Sequence, residues 1–113
     1  MLNTPTVNRS DVLRVVAREF PRDSAAVLAL LENVTCTFIG TYRLHLALLK
    51  LASGSLQKLQ ESMLIPDSRD VVSLAEYPEY SKRGLRIEKM SDSDVQKIVD
   101  DDWLQYQNWL NAK

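Results

Sequence analysis

Apolar positions recur at three- and four-residue spacing along most of this chain, the period of helices with one buried face. Val12, Leu13, Val16 and Phe20 form the first stripe and Pro21 ends it, which predicts a helix from about Ser10 to Phe20. Val27, Leu30, Leu31 and Val34 form a second stripe within residues 24–34, so the two segments read as a helical hairpin. Between Thr41 and Ala52 the chain is apolar nearly all round, interrupted only by Arg43, His45 and Lys50, and such a helix belongs in the middle of a fold. Gly54 stops it, and Ser55 caps the next helix, where Leu56, Leu59, Met63 and Leu64 share a face until Pro66. Asp67 or Ser68 caps a short segment that turns Val71, Val72, Leu74 and Ala75 inward. Ser91, with Asp94 three residues later, opens a last helix from about Asp92 to Asn111. Val95, Ile98, Val99, Trp103, Tyr106, Trp109 and Leu110 lie on one side of it. The expectation is an all-α fold: one compact bundle of about six short helices around a buried central helix near 41–53. It forms a single domain over residues 1–113, with residues 1–9 frayed.

Composition agrees with that class. Three glycines and four prolines are too few for the many tight turns of a sandwich or barrel. No apolar run approaches the ~18 residues of a membrane span, so no membrane partner is expected. The net charge of −1 gives no general attraction for phosphate backbones, and the halves differ mildly: residues 1–56 carry six Lys/Arg against four Asp/Glu, residues 57–113 eight against eleven. No nucleic-acid partner is expected. The amino end lacks the basic and apolar segments of a secretory signal, and the single cysteine, Cys36, fits a reducing compartment, so the expected location is cytoplasmic.

Several chemistries fit poorly. One histidine and one cysteine do not make a zinc ligand set, and the run Asp100, Asp101, Asp102 spreads around a helix rather than converging on one ion. No metal or cofactor is expected. Glycines at 40, 54 and 84 leave no phosphate-cradling loop. Cys36 and His45 read as core residues rather than a nucleophile and its base. The helices flanking Gly54 resemble a helix-turn-helix only in outline, because "SLQKLQESML" lacks the basic face that DNA requires.

The informative stretch is "AEYPEY", residues 75–80, together with the last helix, which between them hold five of the eight aromatic residues. Proline disfavours helix at the residue before it, so Tyr77-Pro78 is a corner. Asp102 falls in the middle of an apolar face and needs a partner: an arginine, a tyrosine hydroxyl or the amino end of another helix. Arg43 and Arg69 are the expected candidates. Tyr77 and Tyr80 are expected to meet Trp103 and Tyr106 in an aromatic clasp, which makes Tyr77, Tyr80, Asp102, Trp103 and Tyr106 the candidate binding residues. The clasp reads either as core packing or as the rim of a groove. Lys82, Arg83, Arg86 and Lys89 precede the acidic start of the last helix and balance it at the surface.

The stretches "RLHLALLKLASGSL", "RDVVSLAEYPEY" and "DDWLQYQNWL" resemble a group of small stand-alone bacterial helical proteins of unassigned function, over about residues 43–110. The most specific parts are Ala75-Glu76-Tyr77-Pro78 and Asp102-Trp103 with Gln105-Tyr106 and Trp109-Leu110. Similar chains carry an acidic residue after the Gly54 turn where this one has Ser55-Leu56, and Ser55 still serves as a cap. The resemblance implies a compact helical protein in a bacterial cytoplasm and brings no catalytic residues.

Two functions are carried forward. The first is a protein-binding or regulatory protein without catalytic activity, acting through the Tyr77–Tyr80 corner and the last helix, where Leu104 lies opposite the buried stripe. The alternative is a small enzyme or small-molecule-binding protein using Glu76, Asp102 and the nearby tyrosines. Homodimer formation through the last helix is compatible with either.

Overall fold

A computed structural model describes residues 2–113. Among these residues the chain forms seven α-helices and no strand. They are α1 (Arg9–Glu19), α2 (Ser24–Glu32), α3 (Thr41–Ala52), α4 (Leu56–Met63), α5 (Ser68–Glu76), α6 (Pro78–Arg83) and α7 (Asp92–Asn111), with a 3-10 segment (Gly84–Lys89) between the last two. The bundle is all-helical, with one α-helix more than the periodicity predicts. That extra helix is α6. Its proline occupies the first helical position, where a missing N–H costs nothing and the fixed φ suits a helix, so Pro78 starts a helix as well as breaking one.

The caps explain the boundaries. Asn8 accepts from the Asp11 N–H while Asp11 accepts from the Asn8 N–H, a reciprocal box that starts α1 one residue earlier than expected. Ser55 caps α4, Asp67 caps α5 and Ser91 caps α7, each through a side-chain oxygen on an N–H of the first turn. The α3–α4 turn is left-handed at both Ser53 and Gly54. A side chain at Gly54 would stand 3.2 Å from the carbonyl oxygen of Glu19, so glycine there permits the end of α1 to press against the turn.

The middle helix is α3. Leu44, Leu46, Ala47, Leu48, Leu49 and Ala52 are all buried, with α1, α4 and α5 packed around them. His45, also buried, donates from Nε2 to the Val34 carbonyl at 2.7 Å, which ties α3 to the end of α2. Burial lowers its pKa, so the imidazole is neutral and structural. Three inward expectations fail. Leu64 lies just past the end of α4 and is 80% exposed, and Leu74 lies at the edge of its stripe and is also exposed. Leu13 likewise turns outward, while Val15 takes its place in the core.

The amino-terminal segment has no regular structure but touches the bundle at several points. Pro5 is buried and Val7 packs on the core. The Tyr77 hydroxyl accepts from the Asn3 N–H at 2.6 Å and donates to the Asn3 carbonyl at 2.9 Å. Within the stretch expected to fray, Asn3, Pro5 and Val7 make these contacts with the bundle; Met1 lies outside the described residues. At the opposite edge, Arg14 and Arg18 of α1 donate to the carbonyls of Leu110 and Ala112, each at 2.6 Å, and so satisfy the carboxyl end of α7.

Candidate functional site

The "AEYPEY" stretch is the joint between α5 and α6. Tyr77 has φ −130° and ψ 64° there, and its N–H still bonds back to Ser73. Pro78 has no N–H, and the Ser81 N–H goes to the Tyr77 carbonyl, which leaves the N–H groups of Glu79 and Tyr80 to be met from elsewhere. Asp102 meets both. Its carboxylate oxygens accept from the Glu79 N–H at 3.3 Å and the Tyr80 N–H at 2.9 Å, so one side chain of α7 caps α6 across 22 residues of sequence. Asp102 is 2% exposed, and the positive end of α6 is what makes a buried carboxylate tolerable there.

Of the three partner types expected for Asp102, the amino end of a helix is the one found. Neither expected arginine takes part. Arg43 pairs with Glu76 through two parallel bonds of 2.8 Å, from Nε and from a terminal nitrogen, and Arg69 pairs locally with Asp67 at the surface. Glu76 is 1% exposed, so this pair is buried on the acid side. The two-pronged geometry raises the Arg43 pKa and keeps its charge fixed. Gln105 of α7 donates to the Glu76 carbonyl at 3.4 Å.

The corner is thus joined by carboxylates rather than by stacked rings. Among the described residues the aromatic pairs are Tyr106 with Trp109, centroids 5.6 Å apart, and Tyr42 with His45. The expected pairing of Tyr77 and Tyr80 with Trp103 and Tyr106 is replaced by the backbone bonds of Asp102. Tyr77 is buried and bonded to Asn3; Tyr80 is half-buried and contributes its backbone N–H; Trp103 is half-buried; Tyr106 is fully buried. The Tyr106 hydroxyl has no hydrogen-bond partner, and burial raises its pKa, as it does that of Tyr77.

A second place was not anticipated. Glu19, Lys50, Ser53, Gly54, Gln105 and Trp109 line an open cleft of about 480 Å³ between the ends of α1 and α3 and the flank of α7. Glu19 Oε2 accepts from the Trp109 indole N–H at 2.8 Å and from Arg18 at 2.7 Å. Its Oε1 is buried without a donor. The Arg18 guanidinium lies over the Trp109 ring at 5.4 Å. Lys50 is half-buried, and that burial lowers its pKa against the opposing pull of Asp102 and Glu19. The sequence carried one signal for this place: Lys50, the last of three charged or titratable residues that interrupt an otherwise apolar helix.

The chain matches no family model, and no curated protein or solved structure is significantly similar to it. Among the described residues no group of His, Cys, Asp and Glu could hold a metal ion, and no helix is long and apolar enough to cross a membrane.

Proposed function

We propose that this protein is a small protein-binding or regulatory module, acting through the outer face of α7 and the adjoining Tyr80 corner. The observation that carries the reading is the way α7 is held. Asp102 fixes its middle to α6, the arginines of α1 fix its end, and Leu104 is left 58% exposed on the outward side among polar neighbours. A rigid helix face with an apolar anchor loses little conformational entropy on docking, which is what a binding surface needs. The lone cysteine, Cys36, is buried and free, in line with a reducing, cytoplasmic setting of the kind the bacterial resemblance implies.

The alternative catalytic reading has less support. Glu76 and Asp102, the carboxylates it would use, are each committed to fixed donors inside the fold, and neither lines the cleft. A general base has to reach substrate. The test is capture of partners from a lysate of the source organism by wild type and by a folded Tyr80→Ala, Leu104→Ala variant, with the affinity of any captured protein then measured in purified form. A partner bound by wild type and weakened about tenfold or more by the double substitution supports the proposal. Equal capture by both proteins, or none by either, counts against it. Capture of a second copy of the same chain would make the face a homodimer interface.

A further inference from the structure

Two oppositely charged blocks lie side by side where the chain turns from α6 through the 3-10 segment into α7. Asp102 holds the start of α6, and Ser91 follows closely on the 3-10 segment, so residues 82–89 run back along the first half of α7. They hold Lys82, Arg83, Arg86 and Lys89 against Glu88, a net of +3. Residues 92–101 of α7 hold Asp92, Asp94, Asp100 and Asp101 against Lys97, a net of −3. All of these but the half-buried Arg83 are exposed. The sequence predicts that the two blocks balance each other within the chain, yet no ion pair joins them among the described residues. Lys82 pairs with Glu79 of its own helix, and Asp100 accepts from Gln96 of its own helix. Each block has an outward leucine: Leu85, 81% exposed, in the first, and Leu104, one turn beyond Asp100, beside the second.

We infer that these blocks join two copies of this chain in a two-fold dimer, the basic block of each copy lying on the acidic face of α7 of the other. The inference rests on the reading of the outer α7 face as a binding surface and names its partner. A two-fold axis between the blocks turns plus onto minus twice, so the surface is its own complement. Within one copy the charges point outward side by side; across the axis they meet face to face. A nucleic acid or an anionic membrane would be drawn to residues 82–89 and repelled by α7. The whole chain carries a net charge of only −1, so two copies approach without general repulsion and the local pattern sets their orientation. Leu85 and Leu104 supply apolar anchors within polar rims, the arrangement of a protein contact.

Sedimentation equilibrium of the full chain, from micromolar to millimolar concentration and from about 0.02 to 0.5 M salt, reads the stoichiometry. Wild type is expected to reach a dimer and no larger species, with affinity falling about tenfold or more at the high-salt end as the exposed charges are screened. Two charge-reversed variants decide the geometry: Arg86→Glu with Lys89→Glu, and Asp100→Lys with Asp101→Lys. All four positions are exposed and make no ion pair in the fold, so both variants should keep the circular dichroism and urea midpoint of wild type. Each variant alone is expected to be monomeric, because like charges then meet at both contacts. An equal mixture of the two is expected to form a heterodimer, because both contacts return with their signs exchanged. The inference is overturned if wild type stays monomeric throughout, if it grows beyond a dimer, if either variant pairs as tightly as wild type, or if the mixture stays monomeric. A monomeric wild type overturns this inference alone, since the broader binding reading stands or falls on the lysate capture.

Discussion

Two regions of this molecule use the same kinds of residue to opposite effect. At the Tyr77 corner a glutamate, an aspartate, an arginine and two tyrosines are turned inward, and both carboxylates have donors on geometry that leaves no opening. At the cleft a glutamate, a lysine, a glutamine and a tryptophan are turned half outward, and one carboxylate oxygen has no donor. Charge type therefore does not separate polar residues with a full set of partners from those without. What separates them is whether the fold itself supplies the partner. The fold supplies donors to both corner carboxylates, though no partner to the Tyr106 hydroxyl, and it leaves Glu19 Oε1 at the cleft without a donor.

The comparison is broken most directly at Arg43. Arg43→Met leaves the Glu76 carboxylate buried without its partner, and should destabilise the fold by about 3–5 kcal/mol, read as a lowered urea midpoint. Arg43→Met combined with Glu76→Gln should recover part of that loss, because the stranded charge is gone. A loss below about 1 kcal/mol for the single variant would place the corner in the same class as an exposed ion pair.

Asp102→Ala comes next. It removes an ionised acceptor from two N–H groups of α6, with an expected cost of about 2–3 kcal/mol and faster amide exchange at Glu79 and Tyr80. Asp102→Asn keeps one carboxamide oxygen and should lose less. Unchanged exchange at those two amides would show that α6 does not depend on α7 for its amino end.

The smallest effect lies in the alkaline range, where the two regions should have opposite slopes. Tyr77 and Tyr106 have pKa values raised above the ordinary 10.0, so the unfolded chain releases those protons first. Their contribution is intact below pH 10 and is lost as pH rises beyond it. Lys50 has a pKa lowered from 10.5, so its contribution runs the other way: full above that pH, and lost as pH falls through the folded value. Tyr106→Phe should flatten the loss above pH 10 and, by removing a hydroxyl with no partner, change neutral-pH stability by no more than about 1 kcal/mol. Lys50→Met should steepen the alkaline loss. Denaturant midpoints followed from neutral pH to above pH 10 read both, and identical curves for the two variants would erase the contrast.

Much of the architecture was legible because local chemistry marks it. The bounds of α3 and α7 follow from Gly54 and from Ser91, whose roles depend on neighbours within four residues. The helix α6 was hidden because Tyr-Pro carries two messages, and the residues after it have no apolar stripe to reveal the period. Leu64 and Leu74 were misplaced for a related reason, since an eight- or nine-residue helix ends before its stripe is defined. The need of Asp102 for a partner was readable from its position among apolar residues. Which partner it takes depends on how α5, α6 and α7 pack. The cleft was least legible, because it is assembled from the ends of α1 and α3 and the flank of α7, and no single window of sequence contains it.

The two arginine contacts from α1 to the end of α7 span 96 and 94 residues. Closing so long a loop has an entropic cost that contacts within α3, α4 and α5 avoid. Those three helices are joined by short connections, so high φ-values there and low ones in α7 are the expected result of a mutational folding study. Docking of α7 brings Asp102 to α6 and Trp109 to Glu19, so both regions depend on that one helix being in place.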